Sequence, residues 1–289
     1  MSWRTVVITE TAKLDYQMGY LVVRGMESKK IPISEISMLI VESTAVSLTA
    51  YLLQELSKHK VKVIFCDERR NPSSELIPYY GSHDTSIKIR NQVDWPKDLK
   101  TAVWTKIVAE KIRQQAVTLN LFGKEEALML ESYIEEIEFG DITNREGHAA
   151  KVYFNALFGK RFNRQEDNSI NAALNYGYTI ILSAFNREVV SNGYITQLGL
   201  SHSNRFNPFN LASDLMEPFR PLVDRYVGLL KPEIFEKEEK HYMIRLLEEE
   251  VLMEGKSEKL PNAIKLYTKS VFDVMSNNGE GNILFFERK

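Results

Sequence analysis

Between Pro96 and Pro208 the sequence contains no proline, a run of 111 residues (97–207) in a chain of 289 residues with nine prolines. A proline inside a helix removes a hydrogen bond and clashes with the preceding turn at a cost of ~3 kcal/mol, so this gap marks a largely helical region. Glycine supplies the stops. Helices are predicted over 97–121 (ending near Gly123), 124–138 (near Gly140), 146–158 (at Gly159) and 170–190. More are expected from about Leu211, over 233–254 and over 260–275. They precede a Gly/Asn-rich tail, 276–289, with the apolar run Ile283-Leu284-Phe285-Phe286. That run is too apolar to float, so it is expected to dock on a partner subunit, a larger assembly or the chain's own body.

The first 75 residues have a different grammar. Thr5–Thr9, Tyr20–Val23, Ile36–Val41 and Val61–Phe65 are short and β-branched, separated by Gly19, Gly25 and Pro32. Only 46–59 breaks this pattern, with apolar residues near helical spacing. Residues 71–96 turn polar and carry Pro72, Pro78 and Pro96, as a linker would. The expected class is α+β: a small β domain with one helix (1–75), a linker (76–97) and a larger all-α domain (98–289).

Hydrophobic residues make up 44% and charged residues 26%, which excludes disordered, collagenous and membrane-dominated chains. No apolar run approaches the roughly eighteen residues that span a bilayer, and the first residues lack the plan of a signal peptide. Cys66, the one cysteine, cannot form an intrachain disulfide. A reducing, cytoplasmic setting is expected. The net charge of −2 argues against a protein that merely coats nucleic acid, but a local basic groove can sit inside a balanced total.

Several motifs are decoys. Gly255-Lys256-Ser257 ends like a phosphate-binding loop, but Glu250 stands where its first glycine belongs, so Gly255 reads as a helix C-cap. His83-Asp84 lies in the polar linker without a second histidine nearby. Cys66 falls in a core strand, where buried hydrophobe outranks nucleophile. Glu248-Glu249-Glu250 reads as a solvated helix face.

Two segments carry chemistry. Thr143 and Glu146 have capping-box spacing, and helix geometry alone favours cap over ligand because caps are common. Against that, Glu146 shares an apolar stripe with Ala150, Tyr153 and Leu157, where a carboxylate needs a cation or donors. In the second segment Asn207-Pro208 reads as a helix start. Asp214 and Glu217 follow three apart on one face, Pro218 kinks or ends the helix beside them, and His202 precedes them on a loop. One imidazole with two or three carboxylates and no thiolate suits Mg²⁺ or Mn²⁺ better than structural zinc, and such sites perform phosphoryl transfer. Around them Arg145, Lys151, Lys160, Arg161 and Arg164 oppose only Glu146 between positions 145 and 164, with Arg205 and Arg220 further on. These are the expected DNA-contacting residues. The alternatives are a cap, a loop histidine and solvated carboxylates.

At these residues the chain resembles the CRISPR-associated endonuclease/integrase, family one of the Cas proteins. The motifs are Trp3-Arg4-Thr5-Val6-Val7, Phe65-Cys66-Asp67, Tyr80-Gly81-Ser82-His83-Asp84, Asn144-Arg145-Glu146-Gly147-His148-Ala149-Ala150, Asn171 to Tyr178, and Ala212-Ser213-Asp214-Leu215-Met216-Glu217-Pro218-Phe219-Arg220-Pro221. Together they are similar to its subtype II-A branch and span essentially the whole chain. The resemblance implies metal-ligand roles for Glu146, His202 and Glu217, with Asp214 assisting; a glutamate at 217, where many branches have aspartate, is shared with subtype II-A. It also implies a homodimer through the β domain and pairing with the small second adaptation protein in a heterohexamer. The branch adds an effector nuclease and a ring-shaped DNA-end-binding protein. The implied reaction inserts short double-stranded DNA into a CRISPR array: a 3′-hydroxyl attacks a phosphodiester at the leader–repeat boundary. A plain metal-dependent nuclease and a non-catalytic DNA-binding scaffold are the competing expectations.

Overall fold

The computed structural model describes residues 4–78 and 82–289; Trp3, Tyr80 and Gly81 of the motifs above lie outside the described residues. In chain order the first part runs β1 (Arg4–Ile8), β2 (Ala12–Gln17), β3 (Tyr20–Arg24), β4 (Ser28–Pro32), β5 (Ile36–Val41), β6 (Val46–Leu48), α1 (Ala50–Lys58), β7 (Lys62–Cys66), β8 (Pro72–Leu76) and α2 (Thr85–Val93). The second comprises α3 (Lys97–Leu121), α4 (Ala127–Glu135), α5 (Arg145–Phe158), α6 (Ser169–Ser191), α7 (Asn210–Leu215), α8 (Arg220–Leu230), α9 (Lys237–Ile244), β9 (Glu250–Met253), β10 (Lys256–Lys259), α10 (Leu260–Ser276) and β11 (Glu287–Arg288). The α+β class is as expected.

The β part contains two four-stranded sheets, ordered β1-β5-β7-β8 and β4-β3-β2-β6. In the first, β1, β5 and β7 are parallel and β8 closes the edge antiparallel. Every residue of β5 is buried, as expected for a parallel strand covered on both faces. Alternation assigns its side chains to two cores. Met38 and Ile40, with Ile64 and Cys66 of β7, face the helical part, while Leu39, Val41 and Val63 face the second sheet and α1. The two parts therefore share a core. Glu42, just past β5, pins this junction: its buried carboxylate accepts from Arg70 Nη1 at 3.0 Å and pairs with His241 Nε2 of α9 at 2.8 Å.

Two expectations are corrected. The stretch read as linker contains β8 and α2, and Gln92 of α2 is buried, with its amide bonded to the Ile195 and Leu198 carbonyls at 2.9 Å. At its start Asp84 bonds Ser82 and Lys88, so His83-Asp84 sits in a helix-initiating turn. Nor is the second part all-α. The helix expected over 233–254 stops at Ile244, passes through a 3-10 turn to Glu248 and gives way to the β9–β10 hairpin. The hairpin wins because Glu254 and Gly255, at φ of 49° and 75°, form a two-residue turn whose twist suits paired strands. Gly255 is thus a turn residue and not a helix cap. Glu249, read as solvated, pairs with Arg225 at 2.5 Å. β11 adds to β9, and Phe286 buries its ring against the body, 4.6 Å from Phe219. The apolar tail run therefore docks on its own chain.

Candidate active site

Helix α3 is buried on nearly all sides and forms the floor of the site. Trp104 and Lys111, two turns apart, face the same way. Glu146 enters as the second residue of α5. Its helix is capped by other groups: Asn144 Oδ1 accepts from Gly147 N at 3.3 Å, and the Asp141 carboxylate accepts from Arg145 N at 2.7 Å and Glu146 N at 3.0 Å. Thr143 Oγ1 makes no hydrogen bond, so the capping-box reading is overturned. With the amides satisfied from outside, the Glu146 carboxylate takes Lys111 Nζ at 2.6 Å.

Glu217 arrives through a broken helix. The start expected at Asn207-Pro208 lies in a turn, where Asn207 Oδ1 accepts from Phe209 N at 2.9 Å, and α7 begins at Asn210. Pro218 has no N–H to continue α7, so the chain tightens into a 3-10 turn over Glu217–Phe219 before α8. This turn aims Glu217 away from Asp214 and onto Lys111 Nζ, while Arg220 Nε donates to its Oε1 at 2.8 Å. Burial pushes the Glu217 pKa up, but Arg220 and Lys111 outweigh it and hold it at about 2. Burial likewise pulls the Lys111 ammonium down, and Glu217 and Glu146 more than reverse it.

Asp214 is fully buried and does different work. It accepts from the amides of Leu200 at 2.6 Å, Ser201 at 3.0 Å and His202 at 3.2 Å, and from His202 Nδ1. These contacts make it the anchor of the His202 loop. Gly199 is required beside it, because a Cβ there would meet the His202 carbonyl at 2.4 Å and Asp214 Oδ2 at 2.6 Å. The hydrogen bond to Asp214 raises the His202 pKa against partial burial. Its ring stands edge-on to Trp104 with centroids 5.5 Å apart.

Of the expected ligands, Glu146 and Glu217 meet around one cation, Lys111, whereas His202 is turned to Asp214. Among the described residues no three His, Cys, Asp or Glu side chains gather around a common point. The expected DNA-contacting residues divide. Arg164 and Arg220 share a cavity lining with Glu217, their guanidiniums over the Tyr178 ring at 5.5 and 4.7 Å. Lys151, Lys160, Arg161 and Arg205 are exposed, Arg205 over the Phe206 ring, and Arg145 pairs with Glu136 at 2.8 Å. Cys66 is remote from this chemistry: burial, Glu42 and Asp67 push its pKa up to about 12.

With this arrangement in view, comparison with known proteins is decisive. The family described as CRISPR associated protein Cas1 matches residues 5–253. The chain belongs to the Cas1 family. It is 37% identical over 242 residues to the CRISPR-associated endonuclease Cas1 of Neisseria meningitidis serogroup C, covering 81% of this chain and 80% of that relative. Its fold is similar to that of a Cas1 protein from Thermotoga maritima, with a TM-score of 0.77 and 17% identity over 98% of this chain and 99% of the other. A casposase bound to integration product has the same TM-score, at 18% identity over 97% of this chain and 92% of the other.

Lys111, Trp104 and Asp224 of this Cas1 chain were not singled out from the sequence, and Tyr178 entered only as the end of a motif. The available signal was the stripe Trp104, Val108, Lys111, Gln115, Thr118, which places polar groups on a helix face that begins with tryptophan. A lysine there demands carboxylate partners, and both are far away in sequence.

Proposed function

We propose that the chain is a metal-dependent DNA integrase of CRISPR adaptation, acting on short double-stranded DNA by attack of a 3′-hydroxyl on a phosphodiester at the leader–repeat boundary. The observation that carries it is the convergence of Glu146 and Glu217, from α5 and the 3-10 turn before α8, on a single positive charge. Two carboxylates clasping an ammonium fit a hard cation, and Nδ1 of His202 is spent on Asp214, which leaves Nε2 as its donor. Glu146, Glu217 and His202 would hold Mg²⁺ or Mn²⁺. Such an ion supplies charge neutralisation on phosphate oxygens and a lower pKa for an attacking oxygen. The chain's own groups prepare that chemistry. Arg220 keeps Glu217 ionised, Asp214 fixes the imidazole tautomer, and Trp104 packs edge-on against the ring. The arginines beside the site fit a phosphate backbone.

The proposed partners are double-stranded DNA, a second copy of the chain through the β part, and the small second adaptation protein. The glutamate at 217 supports assignment to the subtype II-A branch, with its effector nuclease and ring-shaped DNA-end-binding protein as further partners. The proposed site of action is the cytoplasm, and among the described residues no helix is long and apolar enough to cross a membrane. The test is strand transfer with Mg²⁺ or Mn²⁺, with and without the second adaptation protein. Glu146→Ala is expected to lower joining by more than about a hundredfold, beyond the 10–100-fold typical of outer-shell changes. Full activity in that variant refutes the ligand assignment, and fragments without joined, branched product would make the chain a nuclease.

A further inference from the structure

A cavity of about 130 Å³ is lined in part by Glu217, and His202 is not among its lining residues. Its lining brings three cations, Lys111, Arg164 and Arg220, together with the carboxylates of Glu217 and Asp224, and Tyr178, Ala150 and Phe154 complete it with Gln115. We propose that this cavity is an anion subsite that takes one backbone phosphate of the bound DNA, close along the strand to the phosphodiester at the carboxylates. The inference rests on the DNA-acting function proposed above and adds a ligand and a residue role to it.

Charge is the first argument. Lys111 and Arg220 are neutralised by Glu146 and Glu217. Arg164 is different: Nη1 donates to Asn171 Oδ1 and Nη2 to Asn175 Oδ1 at 2.8 Å, so its charge is held by neutral amide oxygens. Asp224, the other carboxylate of the lining besides Glu217, accepts from Tyr178 OH and forms no ion pair with Arg164. An arginine fixed in place without a carboxylate partner, at the mouth of a cavity, is equipped to bind phosphate with both arms.

Preorganisation is the second. Asn171 is buried, and its Nδ2 donates to the carbonyls of Asn163 at 2.8 Å and Glu166 at 2.9 Å, which ties the Arg164 loop to α6. The guanidinium of Arg164 also lies over Tyr178, whose hydroxyl is locked by Asp224. Little side-chain freedom remains to be lost on binding.

Size and position are the third. At about 130 Å³ the cavity has room for a phosphate group. Ala150 and Phe154 lie one and two turns beyond Glu146 on α5, so the cavity spans about 6–12 Å along the helix from that residue. A phosphate there belongs to the same stretch of strand.

The test uses the full chain, in EDTA so that binding is read without catalysis, and DNA with a neutral methylphosphonate replacing one phosphate at a time. Wild type is expected to lose about tenfold in affinity at one position near the joining point. Arg164→Ala is expected to bind unmodified DNA about tenfold more weakly, to lose sensitivity at that one position, and to have a log K versus log salt slope shallower by about 1. Arg164→Lys should restore part of both, and a melting temperature near wild type in either variant keeps folding out of the comparison. An Arg164→Ala protein with unchanged affinity and an unchanged methylphosphonate profile overturns the subsite. So does stabilisation by inorganic phosphate that depends on Arg164 while every methylphosphonate profile stays the same, because the cavity would then bind free phosphate. Failure of wild type to bind DNA at all would instead strike the function proposed above.

Discussion

Lys111 holds together two carboxylates that would otherwise repel each other in a poorly solvated site, with side-chain exposures of 12%, 25% and 5% for Lys111, Glu146 and Glu217. Removing one member of such a cluster leaves buried charge uncompensated. Lys111→Met is therefore expected to cost about 3 kcal/mol in EDTA, and Mn²⁺ should raise its melting temperature by more than it raises that of wild type. Equal Mn²⁺ shifts in a calorimetric scan would dissociate Lys111 from the metal site. This residue also shows where sequence stops being legible. The placement of Glu146 on an apolar stripe already asked for a cation, but its partner lies 35 residues upstream and Glu217 lies 71 downstream. Whether Glu146 capped its own helix depended on Asp141 and Asn144, whose left-handed backbones at φ of 52° and 53° leave no periodic trace.

The helices from 97 to 191 were readable because proline is absent and glycine marks most ends, and α3 spans Lys97–Leu121 as expected. The β9–β10 hairpin was not. Its strands are four residues each, and the acidic run before it fits a helix face equally well. Only Glu254-Gly255 distinguishes the two, through a turn that needs positive φ at both positions. Gly255→Ala should therefore destabilise by about 1 kcal/mol despite the open space around the glycine, and lower the melting temperature by a few degrees. No change on thermal unfolding would mean that the turn type is wrong. The tail depends on this element too, since β11 pairs with β9 and Phe286 reaches Phe219, two residues beyond Glu217.

For the whole molecule, the buried Tyr153, Tyr178 and Asp224 cluster links stability to pH. Burial raises Asp224 from 3.8 to about 6, with the hydrogen bond from Tyr178 and the charge of Arg220 opposing. A carboxyl that binds its proton more tightly when folded gives its full stabilisation below about pH 3.8 and loses it as pH rises through about 6. The loss is about 3 kcal/mol. Asp224→Asn cannot titrate, so its unfolding free energy should decline less than that of wild type between pH 4 and 7. Parallel curves in urea titrations across that range would rule out the link. The α+β plan was legible because the two halves use different residues. The shared core was hidden, since alternation in β5 is invisible when both of its faces are apolar.

That last feature has a cost in specification. A strand that is hydrophobic on one side only has its register set by polarity, because a slip of one residue would drive its apolar set into water. β5 has no such safeguard: slipped by one, it would still present oil to both cores. What marks its position is the charge that follows. Glu42 can satisfy its carboxylate only where Arg70 and His241 wait for it, so one buried acid at the strand's end acts as an index peg, telling Met38 and Leu39 which core is theirs.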